Sequence, residues 1–150
     1  MLVFNYLKAS PLLLEKINGL CGLLWQGKRD YEQAAAFVPD KELSRTILTL
    51  AVESNQYACE LSSQIQVLGG VSPKEFIYGP SVNVNTKMLQ DKKGILNFCR
   101  MSEWKMVNAY QKILNESHLY DGFTKMIQYQ LNGIQRAYMQ LKLLNSLKLY

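Results

Sequence analysis

Apolar residues recur along this chain at alternating spacings of four and three residues, in four separate segments. The first segment carries the series Leu13, Ile17, Leu20, Leu24, Gly27, Tyr31, Ala34 and Val38. Such a series lies on one side of an α-helix, because a helix makes one turn in about 3.6 residues. The pattern predicts four long amphipathic helices, at residues 11–37, 40–68, 91–115 and 119–147.

Capping residues mark where these helices begin. Ser10 can accept a hydrogen bond from a free N–H group of the first turn, and Pro11 loses no helical hydrogen bond there. Asp40 and Asp91 can cap the second and third helices in the same way. The turn around Pro39 and the turn before the fourth helix are both short. The helices on either side of each turn are therefore expected to be antiparallel neighbours.

The connection between the second and third helices has a different character. Residues 69–90 contain three glycines and two prolines and show no sustained helical period. The alternation VNVNT at 82–86 indicates extended chain there. A connection of this length can carry the chain from one end of a bundle to the other, since turns in bundles usually have only about two to eight residues. The expected fold is all-α, a four-helix bundle of up-down-down-up order with one long crossover, which is the ferritin-like connectivity.

Size and composition indicate one globular domain over residues 1–150. Hydrophobic residues make up 48% and charged residues 19% of the chain, which is typical of a folded domain that needs no disulfide or metal to be stable. The N-terminal residues have no basic run and no small-residue cleavage site, and no apolar run is long enough to cross a bilayer. We therefore expect a cytoplasmic protein with no membrane partner. The chain has three cysteines, Cys21, Cys59 and Cys99, which is an odd number, and they are widely spaced. We interpret them as reduced thiols on apolar helix stripes.

The net charge of +5 and the pI near 9.1 raise the question of nucleic-acid binding. The basic residues are scattered along the helices, and no basic cluster interleaves with aromatics in a recognised nucleic-acid motif. Solvated helix faces therefore explain the positive charge better than a nucleic-acid interface does.

Four stretches of the sequence carry a resemblance to a known family. They are GKRDYEQAA at 27–35, LSSQIQVLGG at 61–70, DKKGILNFCRMSE at 91–103 and IQRAYMQLKLL at 134–144. Over residues 11–147 the chain resembles a bacterial ferritin-like family of unknown function, itself similar at fold level to the rubrerythrins. The resemblance implies the ferritin-like fold and no particular activity. The connection at 69–90 is shorter than in that family, which often places an extra helix there.

Ferritin-like proteins hold two metal ions with a carboxylate from each of two helices and a Glu-x-x-His pair from each of the other two. The resemblance places these positions at Leu24, Ser54, Tyr57, Glu103, Gln135 and Tyr138. Glu103 is the one carboxylate of the set, and the chain has a single histidine, His118, which falls in the turn before the fourth helix. We therefore expect no metal site, no catalytic residue and no cofactor.

A carboxylate left inside a bundle needs hydrogen-bond partners. Our hypothesis is a neutral polar network around Glu103, with Ser54, Tyr57, Gln135 and Tyr138 as its donors. The other candidate carboxylates, Glu32, Glu53 and Glu60, do not converge and are interpreted as exposed helix-face charges. Trp25 and Trp104 are expected beside the inward stripes.

The first function that these patterns favour is a non-catalytic scaffold that forms a homo-oligomer, most simply a dimer, with no identifiable small-molecule substrate. Aromatic residues outside the helices are the first candidates for its interface: Phe4, Tyr6, Phe76, Tyr78 and Tyr150. Two alternatives stay open, a metal or redox protein with unconventional ligands and a weak nucleic-acid binder that uses the basic surface.

Overall fold

The structure of the protein is a computed structural model, which describes residues 9–71, 86–117 and 119–147. Within these ranges the secondary structure is entirely helical. The four long helices are α1 (Pro11–Phe37), α2 (Lys41–Val67), α3 (Lys92–Leu114) and α4 (Asp121–Leu147), and a short 3₁₀ helix, Thr86–Leu89, precedes α3. The predicted all-α class with four long helices is confirmed for this part of the chain.

Some of the sequence predictions fall outside the described residues. These are His118, the aromatic interface candidates Phe4, Tyr6, Phe76, Tyr78 and Tyr150, and most of the 69–90 crossover. Of the stretch predicted to be extended, residues 82–85 also lie outside, while Thr86 begins the 3₁₀ helix.

The predicted capping side chains hold the helix starts. Ser10 Oγ accepts a hydrogen bond from the backbone N–H of Leu13 at 3.1 Å, and Asp91 Oδ1 accepts one from Gly94 at 2.7 Å. Asp40 Oδ1 accepts from the backbone N–H groups of two residues in the first turn of α2, at 2.9 and 3.1 Å. At the end of α2, Gly69 has a φ of 88°, a left-handed conformation that glycine adopts without steric cost.

Helix α1 packs against both α2 and α3. Cys21 Sγ lies 3.5 Å from the carbonyl oxygen of Ala58 in α2. Further along α1, the Ala35 carbonyl accepts a hydrogen bond from Ser44 Oγ at 2.9 Å. Toward α3, Asp30 pairs with Ser102, and an ion pair joins Lys16 to Glu116. In both pairs of helices the residue numbers run in opposite directions.

Helix α4 packs against the other sides of α2 and α3. The side chain of Gln130 meets Tyr110 of α3 and the backbone of Tyr57 in α2. Just before the start of α4, the Tyr120 hydroxyl donates a hydrogen bond to Gln64 Oε1 of α2 at 2.8 Å. Apolar side chains from all four helices form one continuous core between them.

The two tryptophans have different surroundings. Trp25 is buried as predicted, but Trp104 is 60% exposed, so its placement beside the core was wrong. Trp104 follows the buried Ser102 by two residues, which turns it by about 200° around α3 and onto the outer face. Over the described residues, none of the helices combines the length and the apolar character needed to cross a membrane.

Candidate functional site in the bundle core

The α1 and α2 positions that correspond to the ligands of a ferritin-like dimetal site lie inside the bundle. Leu24 and Ser54 are fully buried, and Tyr57 is buried. The buried side chain of Met106, from α3, lies beside Ser54 and Gly27. A Cβ atom added to Gly27 would lie 2.7 Å from Met106 Cε, and Ser54 Oγ lies 3.9 Å from Met106 Sδ. A closely packed methionine side chain therefore fills the space next to Ser54, one of the positions at which a ferritin-like protein would carry a metal ligand.

Tyr57 points toward α4. Its ring lies so close to Gly133 that a Cβ atom there would overlap the Tyr57 hydroxyl and lie 3.0 Å from Cζ. The ring also meets Tyr129 edge-on, with centroids 6.4 Å apart. Burial raises the pKa of Tyr57 to about 12, and the charge of Glu53 adds to this. Tyr57 therefore stays neutral and serves the α2–α4 contact.

Glu103 is half-buried between α3 and α4, beside Tyr138. Burial raises the pKa of the Glu103 carboxyl, and the nearby charges of Lys142 and Arg100 oppose that rise. Gln135 lies exposed on α4, because it follows the buried Ile134 by one residue and so points about 100° away.

The predicted network around Glu103 thus needs correction. Of its four proposed partners, Tyr138 lies near enough for the charge of Glu103 to raise its pKa, while Ser54 contacts Met106, Tyr57 packs on Gly133 and Gln135 is exposed. Lys142 and Arg100 lower the pKa of the Glu103 carboxyl, but burial outweighs them.

A polar cluster does exist in the core, centred on Gln130. This side chain is fully buried, and its Oε1 accepts a hydrogen bond from the Tyr110 hydroxyl at 2.9 Å. Its Nε2 donates to the carbonyl oxygen of Tyr57 at 3.4 Å and to Glu60 Oε1 at 3.3 Å. The cluster joins α2, α3 and α4. A glutamine at an inward position of the α4 stripe was the signal in the sequence that could have located it.

Two of the carboxylates expected on exposed faces are half-buried instead. Glu60 contacts Gln130 as described, and Glu53 lies near Arg136 at the α2–α4 contact. Glu53 Oε2 is buried and has no hydrogen-bond partner among the described residues, and burial raises the pKa of this carboxyl. Glu32, in contrast, is exposed as predicted.

Asp30 forms a second polar contact that sequence reasoning missed, between α1 and α3. Its Oδ1 accepts a hydrogen bond from Gln26 Nε2 at 3.0 Å, and its Oδ2 accepts one from Ser102 Oγ at 2.9 Å. Burial raises the pKa of Asp30, while these two hydrogen bonds and the charge of Lys105 lower it, so that a net rise remains. The folded protein therefore binds a proton at Asp30 more readily than the unfolded chain does.

This shift predicts a pH dependence of stability. Since the folded pKa of Asp30 lies above its ordinary value of 3.8, the folded state holds more protons between those two pKa values. The Asp30 contribution to the free energy of unfolding is therefore expected to rise as the pH falls from neutrality through the folded pKa. Urea unfolding between pH 7 and pH 4 measures this pH dependence of the free energy of unfolding. Asp30→Asn is expected to make the increase toward low pH smaller.

Glu32→Gln is the matched control, because Glu32 lies two residues away in α1 and is exposed. Its pH profile is expected to follow that of the unmodified protein. A profile of Asp30→Asn as steep as that of the control would contradict the assignment.

The three cysteines divide into two classes. Cys21 and Cys99 are buried, and burial raises the pKa of each thiol to about 12. Cys59 is exposed, so its predicted place in the core was wrong. It follows the buried Ala58 by one residue and therefore lies about 100° away from the inward face of α2.

Thiol titration with an aromatic disulfide reagent is expected to show one fast thiol in the folded protein and all three after denaturation. Thiolates are the reactive species, and Cys21 and Cys99 are both protonated and covered. Cys59→Ser is expected to remove the fast phase, whereas Cys99→Ser leaves it intact. Three equally fast thiols in the folded protein would contradict the described packing.

No protein-family model matches the chain, and no curated protein matches it with significance.

The chemistry available to the core follows from its own residues. In the described part of the chain, no group of three or more His, Cys, Asp or Glu side chains is placed to hold a metal ion. The cluster of Gln130, Tyr110 and Glu60 and the pair of Asp30 and Ser102 join helices through hydrogen bonds. Burial raises the pKa of Tyr110, so its phenol stays neutral in the core, and burial also raises the pKa of Asp30.

Proposed function

We propose that the protein is a non-catalytic, ferritin-like helical bundle that lacks a dimetal centre and acts as a self-associating scaffold in the cytoplasm. The observation that carries the proposal is the filled interior at the expected metal positions. Met106 packs against Gly27 and Ser54, and Tyr57 packs against Gly133. A thioether, a hydroxyl and a neutral phenol are poor ligands for iron or manganese, which prefer carboxylate and imidazole.

The ferritin-like order of the helices is part of this proposal. Residue numbers run in opposite directions across each of the contacts α1–α2, α1–α3, α2–α4 and α3–α4, as the paired side chains in each contact indicate. This arrangement supports an up-down-down-up bundle in which α2 and α3 are diagonal and parallel. Two parallel consecutive helices need a connection that returns along the bundle, and residues 69–90 are long enough for it.

For self-association we propose the outer face of α4, the side of this helix that points away from α2 and α3. Met139, Leu143 and Leu147 follow one another there at four-residue spacing and are between 50% and 75% exposed. The outward positions Gln128, Asn132 and Gln135 in line with them are uncharged, while Lys125, Arg136 and Lys142 are exposed at the edges of this face. Interface centres are depleted in charged residues and their rims are polar. A second copy, related by a two-fold axis, is the occupant that this face suits, since the uncharged centre of one stripe meets that of the other.

Light scattering coupled to size-exclusion chromatography tests this proposal. The unmodified protein is expected to elute with the mass of a dimer, and Met139→Lys with Leu143→Lys is expected to give a monomer, because a two-fold axis brings the new charges together. Val52→Lys is the matched control, since Val52 is 66% exposed on α2, and it is expected to remain a dimer. A monomeric unmodified protein at high concentration would overturn the self-association proposal.

A further inference from the structure

A groove of about 460 Å³ lies between the start of α3 and the end of α4. Its lining comprises Lys92, Lys93, Leu96, Asn97 and Asn145. A smaller cavity of about 170 Å³ shares Leu96, Asn97 and Asn145 and adds Tyr138, Leu141, Lys142 and Ser146. The groove falls in the size range of small-molecule sites, about 300–1,000 Å³. We propose that it binds a small organic anion with an apolar body.

The charge of the lining selects an anion. Three lysines border the two cavities, and no aspartate or glutamate is among the described residues that line them. Two carboxylates lie close to this lining. Asp91 caps the backbone N–H of Gly94 and lines a neighbouring cavity that shares Lys92 with the groove. Glu103 partly offsets the charge of Lys142, so Lys92 and Lys93 carry the preference for an anion. The positive end of the α3 dipole adds to the lysine charges.

The uncharged residues of the lining favour a ligand whose anionic group is attached to an apolar part that carries a hydrogen-bond donor. Leu96, Tyr138 and Leu141 give one part of the lining an apolar character. Asn145 lines both cavities, and its Oδ1 is buried with no hydrogen-bond partner in the described part of the protein. Buried polar atoms are nearly always hydrogen-bonded. Because this oxygen is itself covered, the Asn145 side chain has to turn toward the groove before an N–H or O–H group of the ligand can satisfy it.

Anilinonaphthalene sulfonate is a suitable probe, since it combines an anionic sulfonate, an aniline N–H and apolar rings. Fluorescence titration of the full chain is expected to give saturable binding. Lys92→Gln with Lys93→Gln is expected to weaken the binding roughly tenfold, because each exposed charge contributes only modestly to affinity. Lys112→Gln with Lys125→Gln removes the same charge from exposed sites outside the groove, and it is expected to leave the affinity unchanged.

Two further readouts locate the ligand and separate charge from apolar contact. The side-chain amide signals of Asn97 and Asn145 in a nitrogen–proton correlation spectrum are expected to shift on titration. The uncharged analogue phenylnaphthylamine is expected to bind more weakly than the sulfonate, and decanoate is expected to compete with it. Asn145→Leu removes the orphan acceptor and keeps the lysines, so it is expected to weaken binding even if the lysine variant is unstable.

The proposal is overturned if binding is not saturable, if the control lysine pair weakens it as much as Lys92 and Lys93 do, or if the amide signals of Asn97 and Asn145 do not move. The oligomeric state is measured by light scattering, whereas the groove is measured by probe titration and the Asn97 and Asn145 amide signals. The groove and the self-association face are therefore tested independently.

Discussion

Replacing Gly133 by alanine is expected to destabilise the protein by about 1–3 kcal/mol, although alanine normally stabilises a helix interior by about 1 kcal/mol relative to glycine. The reason is the close approach of Tyr57, whose hydroxyl a Cβ atom at Gly133 would overlap and whose Cζ it would meet at 3.0 Å. The Tyr57 ring is buried and supported by Tyr129. To relieve the overlap, either the ring or α4 has to move. Urea unfolding measures the loss.

Two variants control this experiment. A Cβ atom at Gly22, an exposed position of α1, would meet nothing within 4 Å, so Gly22→Ala is expected to stabilise the protein by about 0.5–1 kcal/mol. Combining Gly133→Ala with Tyr57→Phe is expected to recover part of the loss, since the overlapping hydroxyl is then absent. Equal stability changes in Gly133→Ala and Gly22→Ala would contradict the packing of Tyr57 on α4.

Replacing Gln130 by alanine is expected to lower the free energy of unfolding by about 3–4 kcal/mol, which is the other large effect that the structure predicts. The substitution leaves a cavity in the centre of the bundle, and it leaves the buried hydroxyl of Tyr110 without its acceptor. It also removes the donor that reaches Glu60 and the Tyr57 carbonyl. Urea or thermal unfolding gives the magnitude.

The matched comparison keeps the volume and removes the polarity from both partners. Gln130→Met alone is expected to be destabilising because Tyr110 still lacks an acceptor, whereas Gln130→Met with Tyr110→Phe is expected to recover most of that loss. Strictly additive effects of the two substitutions would show that Tyr110 and Gln130 do not share a hydrogen bond.

The helices were predictable because the residues that determine them lie within each helix or directly before it. Alternating spacings of four and three define each inward stripe, and Ser10, Asp40 and Asp91 supply acceptors at the positions where the first N–H groups of a helix are unpaired. The failures for Cys59 and Trp104 share one cause. Each lies one or two residues from a buried position, and one residue turns a side chain by about 100° around the helix.

The polar contacts of the core were not predictable from the stripes alone. The pair Asp30–Ser102 and the cluster around Gln130 depend on how far each helix is shifted and rotated against its neighbour. A hydrophobic stripe fixes which side of a helix faces inward. It does not fix how far one helix is shifted along its neighbour, because the same stripe is buried at several such shifts. Glu103 was expected inside the core but is half-buried at its edge. Arg100 lies three residues before it on α3, whereas the approach of Lys142 from α4 follows only from the three-dimensional arrangement.

Metal content tests the central claim most directly, because we propose a ferritin-like bundle without a dimetal centre. The protein is incubated with ferrous iron and manganese, desalted and measured by elemental analysis alongside a Glu103→Gln variant. We expect substoichiometric metal in both proteins and no change in melting temperature on metal addition. A whole-number metal content per chain that Glu103→Gln abolishes would contradict the account.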